Sequence, residues 1–250
     1  MADTLLETIG PDYPFVEGLV IPVDKPLGWT STDVVRKVRT LMRKLGHRKI
    51  KVGHAGTLDP LATGVLLICV GRATKRVDEL QAEEKEYLTT VELGATTPSY
   101  DLEHPVDARY PWEHITAAQV EETLRGFVGE QEQEPPVYSA KKLEGKRAYE
   151  YAREGEEVKM RKAVITIYSA SVEGCELPDV PRVTVRIACS KGTYIRSFAR
   201  DLGERLQSGG HLVALRRVRS GGYRAEDCVT LDALQAKLSP AVPTDETNPA

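Results

Sequence analysis

The sequence predicts an α/β or α+β fold, a mixed sheet decorated by helices, on three observations. Segments of strand length and amphipathic segments of helical spacing follow one another without the regular alternation of a parallel sheet. Strand-like segments lie next to each other near both ends of the chain, which a doubly wound topology does not produce. Nothing repeats at the periods of solenoids.

The first strand is read in GLVIPVDKP, an apolar run that meets a turn at Lys25 and Pro26. A helix follows, capped by Ser31 or Thr32, with Val34, Val35, Val38, Leu41, Met42 and Leu45 at helical spacing and Gly46 placed to end it. GVLLICVG (64–71) and KEYLTTVELG (85–94) have strand length and β-branched content. Thr116 to Phe127 reads as a capped amphipathic helix, then an acid-rich segment runs to the breaking pair Pro135 and Pro136. AVITIYSASVEG and RVTVRIACSKG alternate as two strands around a proline-bearing loop at 177–181. A helix over about 193–207, a strand in HLVALRRVRSGGY and a Thr230-capped helix to Leu238 complete the pattern. Residues 1–17 read as an acidic leader, and the tail 239–250 has nothing to bury and reads as disordered.

At 250 residues, 41% hydrophobic and 28% charged, the chain can bury the core of an enzyme. No apolar run approaches the length of a membrane span, and the N-terminus carries acids where an export signal carries lysines, so a cytoplasmic protein is expected. Cys69, Cys175, Cys189 and Cys228 are far apart, without a CxxC pair or a histidine at ligand spacing. That pattern predicts buried reduced thiols, with no metal and no disulfide. The net charge of −3 does not advertise a polyanion partner, yet Arg36 to Lys51 holds eight basic residues and no acid, while acids gather at 78–86 and 130–134. The basic stretch is either a phosphate-facing surface or a solvated helix face.

The segment most suggestive of chemistry is KVGHAGTLDPLATGVL, Lys51 to Leu66. Its glycines permit unusual backbone geometry, and Pro60 confines Asp59 to extended conformations, so the loop presents a carboxylate in a fixed direction. From these residues alone, Asp before Pro is as readily a turn former.

That loop resembles, residue for residue, the defining motif of the TruB family of pseudouridine synthases. Further blocks of that family occur in order: DKPLGWTS (24–31), PPVYSAKKLEGKRAYEYAR (135–153), CSKGTYIRS (189–197) and HLVALRRVRSGGY (211–223). The resemblance spans about Gly18 to Tyr223. It implies the pseudouridine synthase fold, a mainly antiparallel sheet with flanking helices and a central RNA-binding cleft. One catalytic domain over 18–238 is expected, with an RNA-clamping insertion around 135–153.

The implied activity is isomerisation of uridine to pseudouridine in RNA, at uridine-55 in the T loop of tRNA, by base flipping. The N1–C1′ bond breaks, uracil rotates, and C5 joins C1′. No cofactor, metal or obligate protein partner is implied, and the RNA partner is the T-arm stem-loop. The resemblance makes Asp59 the catalytic nucleophile. Addition to the base, addition to the sugar and removal of a sugar proton are three routes open to that carboxylate. It makes Arg196 the salt-bridge partner that keeps Asp59 ionised against desolvation. Tyr87 is implied to stack on the target uracil and is a candidate acceptor of the C5 proton, Tyr194 and Leu215 to line the base pocket, and His54 to occupy the place of the extruded base. Without the resemblance Tyr87, Tyr194 and Leu215 read as core, Arg196 as the start of a helix and His54 as polar surface. Lys141, Lys142, Lys146 and Arg147, flanked by Tyr138 and Tyr149, together with the basic helix and Arg216, Arg217 and Arg219, are expected to supply the positive surface.

Two departures from the family stand out. The block usually reading T-D-T-x-D-x-x-G is TPSYDLEH (97–104), which keeps Asp101 and has Pro98 where an aspartate is usual. The second is the short stretch after Tyr223, from which no additional RNA-binding domain of the PUA kind is expected. Two other readings compete: the catalytic subunit of a guide-RNA-directed complex, and a non-catalytic RNA chaperone for which Asp59 is dispensable.

Overall fold

A computed structural model describes residues 2–139, 142–143, 146–147, 151 and 160–239. Along the chain come α1 (Ala2–Thr8), β1 (Leu19–Lys25), α2 (Ser31–Lys44), β2 (Val52–Ala55), β3 (Ala62–Val70) and α3 (Val77–Ala82). Then follow β4 (Lys85–Leu93), β5 (Ala95–Thr96), β6 (Ala108–Arg109), α4 (Ala117–Arg125) and β7 (Gly129–Gln133). The short β8 (Lys142–Leu143) and β9 (Lys146–Arg147) precede β10 (Ala163–Cys175), β11 (Arg182–Cys189), α5 (Ile195–Arg205), β12 (Gly210–Ser220) and α6 (Leu231–Leu238). They form two compact units, residues 1–81 with 222–250, and residues 82–221.

In the first unit β3 is central. It pairs antiparallel with β1, from Leu19↔Val70 to Lys25↔Gly64, and with β2, from Val52↔Val70 to Ala55↔Leu67. Flanked on both edges and covered, β3 is apolar nearly throughout, which is why its sequence does not alternate. Ala55, Val65, Leu67, Cys69, Ala73 and Leu80 form one core cluster. The stripe of α2 predicted from its spacing, Val34, Val35, Val38, Leu41 and Met42, is buried and packs against β2 and α6. The residues before Gly18 join this core, since Ile9 and Phe15 are buried. The chain returns to the unit at its end, where Val229 bridges Val23 in parallel and α6 buries Leu231, Leu234 and Leu238.

The second unit is a five-stranded antiparallel sheet in the order β12-β4-β11-β10-β7. On β4 the alternation is strict, with Lys85, Tyr87, Thr89, Val91 and Leu93 buried and the residues between them half-exposed. Helix α5 packs on β12, and α4 on β10. The approach of α5 to β12 requires glycine: a Cβ on Gly203 would lie 2.4 Å from the Gly209 carbonyl carbon and from the Gly210 nitrogen.

Three details differ from the sequence reading. The cap of α2 is Thr30, whose hydroxyl accepts from the Asp33 amide at 3.0 Å while the Asp33 carboxylate accepts from the Thr30 amide at 3.1 Å. The acid-rich segment before Pro135 contains a strand, β7, paired with β10. Only Cys69 and Cys189 are buried; Cys175 and Cys228 are half-buried. Of the insertion around 135–153, β8 and β9 pair with each other. Lys141 and Tyr149 lie outside the described residues, as do the tail residues 240–250.

Candidate active site

The Asp59 loop is built by bonds that arrive from the DKPLGWTS segment. Ser31 is 3% exposed. Its hydroxyl accepts from the Leu58 amide at 2.9 Å and donates to the Leu58 carbonyl at 3.0 Å. Lys25 is fully buried, and its Nζ donates to the carbonyls of Trp29 (2.6 Å), Pro26 (2.9 Å) and Pro60 (3.3 Å). The Gly28 amide also donates to the Pro60 carbonyl at 2.9 Å, and the Ala62 amide to the Asp59 carbonyl at 3.1 Å. Asp59 thus sits between two anchored residues, half-exposed. The backbone on both sides of Asp59 is thereby held in place within its unit. Upstream in the same unit, His54 lies on β2 opposite Ile68 of β3, half-exposed.

The second unit holds the other four residues. Tyr87 on β4 faces Arg217 of β12 in register, and Leu215 faces Thr89. Tyr87 and Leu215 therefore share one face of the antiparallel pair as diagonal neighbours, at about 7–8 Å between strands. Thr89 fixes the strand pair further through a 2.9 Å bond from its hydroxyl to the Ala214 carbonyl.

Tyr194 is the N-cap residue of α5, without a side-chain capping bond. Its backbone is held at both ends by Gln133: the Tyr194 amide donates to Oε1 at 2.8 Å, and Nε2 donates to the Tyr194 carbonyl at 3.1 Å. The next residue along β7's exit, Glu134, accepts at its carbonyl from the Ser197 hydroxyl at 2.7 Å. The polar end of β7 thereby sets where α5 begins and how Tyr194 is presented.

Arg196, the second residue of α5, is 4% exposed. Within its unit its Nε lies 3.7 Å from an Asp101 carboxylate oxygen, and its Nη1 donates to the Ser99 carbonyl at 3.3 Å. Asp101 is buried as well, and its other oxygen accepts from the Glu103 amide at 3.0 Å. The TPSYDLEH departure has its own geometry here. Tyr100 adopts φ 60°, a left-handed conformation costly for a non-glycine residue. The Leu212 amide bonds the Tyr100 carbonyl at 2.9 Å, and the Arg200 guanidinium lies 5.0 Å over the Tyr100 ring.

The expected positive surface is corrected in part. Arg217 is 1% exposed, and Arg219 pairs with Glu84 and, at 3.1 Å, with Glu86; strand β12 spends these charges inside the fold. The same buried corner perturbs Lys85. Burial first, then the Arg217 guanidinium, push its amine down to about 8, against the pull of Glu83. Among the described residues no cluster of three metal-ligating side chains occurs, and no helix is long and apolar enough to cross a membrane.

Sequence reasoning singled out Asp59, His54, Tyr87, Tyr194, Arg196 and Leu215 as candidates, and missed the residues that hold their backbones. Lys25 was read only as part of a turn and Ser31 only as a candidate helix cap, Asp101 was a retained letter of an altered block, and Gln133 carried no signal at all.

The class of protein to which these two units belong follows from comparison with known proteins. The family model described as TruB family pseudouridylate synthase (N terminal domain) matches residues 42–195, and that of the tRNA pseudouridylate synthase B C-terminal domain matches residues 196–247. The chain belongs to the TruB family of pseudouridine synthases. It is 56% identical over 220 residues to the tRNA pseudouridine synthase B of Phocaeicola vulgatus, covering 88% of this chain and 92% of that one. To the protein of the same name from Flavobacterium johnsoniae it is 46% identical over 226 residues, covering 90% and 97%. Among solved structures it superposes on a chain of a Cbf5-Nop10-Gar1 complex with a TM-score of 0.69 and 28% identity. That match takes in 92% of this chain but only 57% of the other.

Proposed function

We propose that this enzyme converts uridine to pseudouridine in tRNA, at uridine-55 of the T loop, with Asp59 as the nucleophile. The observation that carries the reading is the double anchoring of the Asp59 loop, by Ser31 at Leu58 and by Lys25 and Gly28 at Pro60, in a chain whose relatives are named tRNA pseudouridine synthase B. The reaction breaks N1–C1′, rotates the uracil and forms C5–C1′; the C5 proton leaves and N1 gains one. No redox partner enters the balance.

The remaining roles follow from chemistry. Tyr87 offers a phenol and a π-face to the flipped uracil, and Leu215 adds an apolar contact on the same sheet face. Tyr194, fixed by Gln133, lines the pocket. In this reading Arg196 supplies the positive charge that opposes the desolvation of the Asp59 carboxylate. Its contact with Asp101 orients the guanidinium for that task. His54 stacks in the gap left by the extruded base. A cytoplasmic location suits such a substrate.

Tritium release from a T-arm transcript labelled at C5 of uridine tests the assignment. Wild type should release label, and Asp59→Asn should lose release by on the order of a thousandfold or more while still binding the RNA. Release by both proteins would remove Asp59 from the chemistry. RNA binding without release by either would favour the chaperone reading.

A further inference from the structure

In the first unit, beyond the C-terminal end of α2, lies a cleft of about 630 Å³ bordered by Val16, residues 46–51, Gly71, Arg72, Thr74 and Lys75. Its walls are set by backbone. Gly46, at φ +87°, closes α2, and the His47 amide reaches back to the Met42 carbonyl at 2.9 Å, so the chain turns sharply into the wall. Gly71, at φ +61°, donates its amide to the Lys51 carbonyl at 2.9 Å. A Cβ there would lie 2.1 Å from the Phe15 carbonyl oxygen, so three segments meet at this point without room for a side chain.

The side chains on this frame are overwhelmingly cationic. Arg48, Lys49, Lys51 and Lys75 are exposed on its border. Among the described residues none of the four forms an ion pair, in contrast with Arg36, held by Asp33 at 3.3 Å, and Arg72, held by Glu17. Val16 and Ile50 supply apolar surface between them. Four mutually repelling charges kept together in a chain of net charge −3 mark a place where an anion relieves the repulsion.

We infer that this cleft binds the phosphodiester backbone of the paired stem that flanks the target loop. The occupant follows from position. Ser31, bonded to Leu58 beside Asp59, opens α2, and the cleft begins just beyond the end of that 14-residue helix. At 1.5 Å per residue the two are about 20 Å apart along α2. An RNA with its reactive nucleotide at Asp59 therefore reaches the cleft with backbone several nucleotides away, where the T arm is double-stranded. Spaced cations with apolar surface between them suit successive phosphates and riboses, and carry no base readout. The inference rests on the proposed RNA substrate and adds a second point of grip to it.

The test is the binding of T-arm stem-loops to wild type and to the triple variant Arg48→Ala/Lys49→Ala/Lys75→Ala over a range of salt. One RNA has an ordinary stem, and the other has uncharged methylphosphonate linkages in the stem strands. The variant should bind the ordinary RNA on the order of tenfold more weakly, with a salt slope shallower by about 2 to 3. It should be nearly indifferent to the uncharged linkages, to which wild type is sensitive. The charge-keeping variant Arg48→Lys/Lys49→Arg/Lys75→Arg should restore both slope and affinity. Wild-type slope in the triple variant, or equal weakening toward both RNAs, overturns the inference. Tritium release by wild type, followed in the same preparations, separates this failure from failure of the proposed reaction.

Discussion

Ser31 illustrates how one hydroxyl changes role when its neighbour takes over the cap. With Thr30 closing the capping box, Ser31 is released to satisfy both polar groups of Leu58. Ser31→Ala leaves a buried amide and a buried carbonyl without that partner, a loss of about 2–6 kcal/mol at about 1–3 for each group. Because Leu58 precedes Asp59, the same variant should lower single-turnover rate by more than it weakens RNA binding. A thermal melt read beside single-turnover kinetics checks this, and a rate that survives a lowered melting temperature would mean that Leu58 does not position Asp59. Lys25→Met removes a donor to three carbonyls and should cost about 2–3 kcal/mol of stability; an unchanged denaturant midpoint would contradict it. Neither role was legible in the sequence, where DKPLGWTS stood out only as a block. The bonds that explain it span 27 residues from Ser31 and 35 from Lys25, and no local pattern encodes a partner at that distance.

At the scale of elements, strands carried by alternation or apolar runs were readable, and β7 was not. Its sequence GEQEQ holds no apolar residue, and its ladder with β10 runs along the end of the second unit's strand order, where charged residues are normal and periodicity has nothing to grip. Yet β7 carries Gln133, which fixes Tyr194. Helix α5 was readable, while its dependence on the 97–101 loop was not. Asp101→Asn removes the carboxylate beside buried Arg196 and should destabilise the protein by about 2 kcal/mol, below the usual cost of breaking a buried pair because the Ser99 carbonyl remains. Chemical denaturation of the variant measures it directly. On β4, Lys85 has its amine pushed down to about 8 from 10.5. Between these two values the unfolded chain holds the proton more tightly than the folded one, so this group's contribution to stability rises with pH through that window. The folded state carries the full penalty below pH 8. Against Lys85→Met, wild type should therefore gain up to about 3 kcal/mol between pH 7.5 and 10.5. A gap that stays flat would place Lys85 in water.

For the whole molecule, net charge was the least informative number in the sequence. The value of −3 sums over arginines that the fold spends internally, such as Arg196 and Arg217, and over Arg48, Lys49, Lys51 and Lys75, which it leaves without an ion pair among the described residues. Chain order was similarly misleading about the C-terminus. The Thr230 cap and the leucine spacing announced α6, but nothing local said that it completes the unit formed by residues 1–81. There Val229, Leu234 and Leu238 are each at most 1% exposed, and the Val229 amide and carbonyl bond the Pro22 carbonyl and the Asp24 amide at 2.9 and 3.0 Å. Burying three such side chains is worth roughly 5–9 kcal/mol, comparable with the whole stability of a domain. Truncation after Gly222 should therefore unfold the unit that carries Asp59. Limited proteolysis would then cleave within residues 19–70 while the strands β4, β10 and β11 stay protected. Protection of β1 and β3 in the truncated chain would show that residues 1–81 hold together without their C-terminal strap.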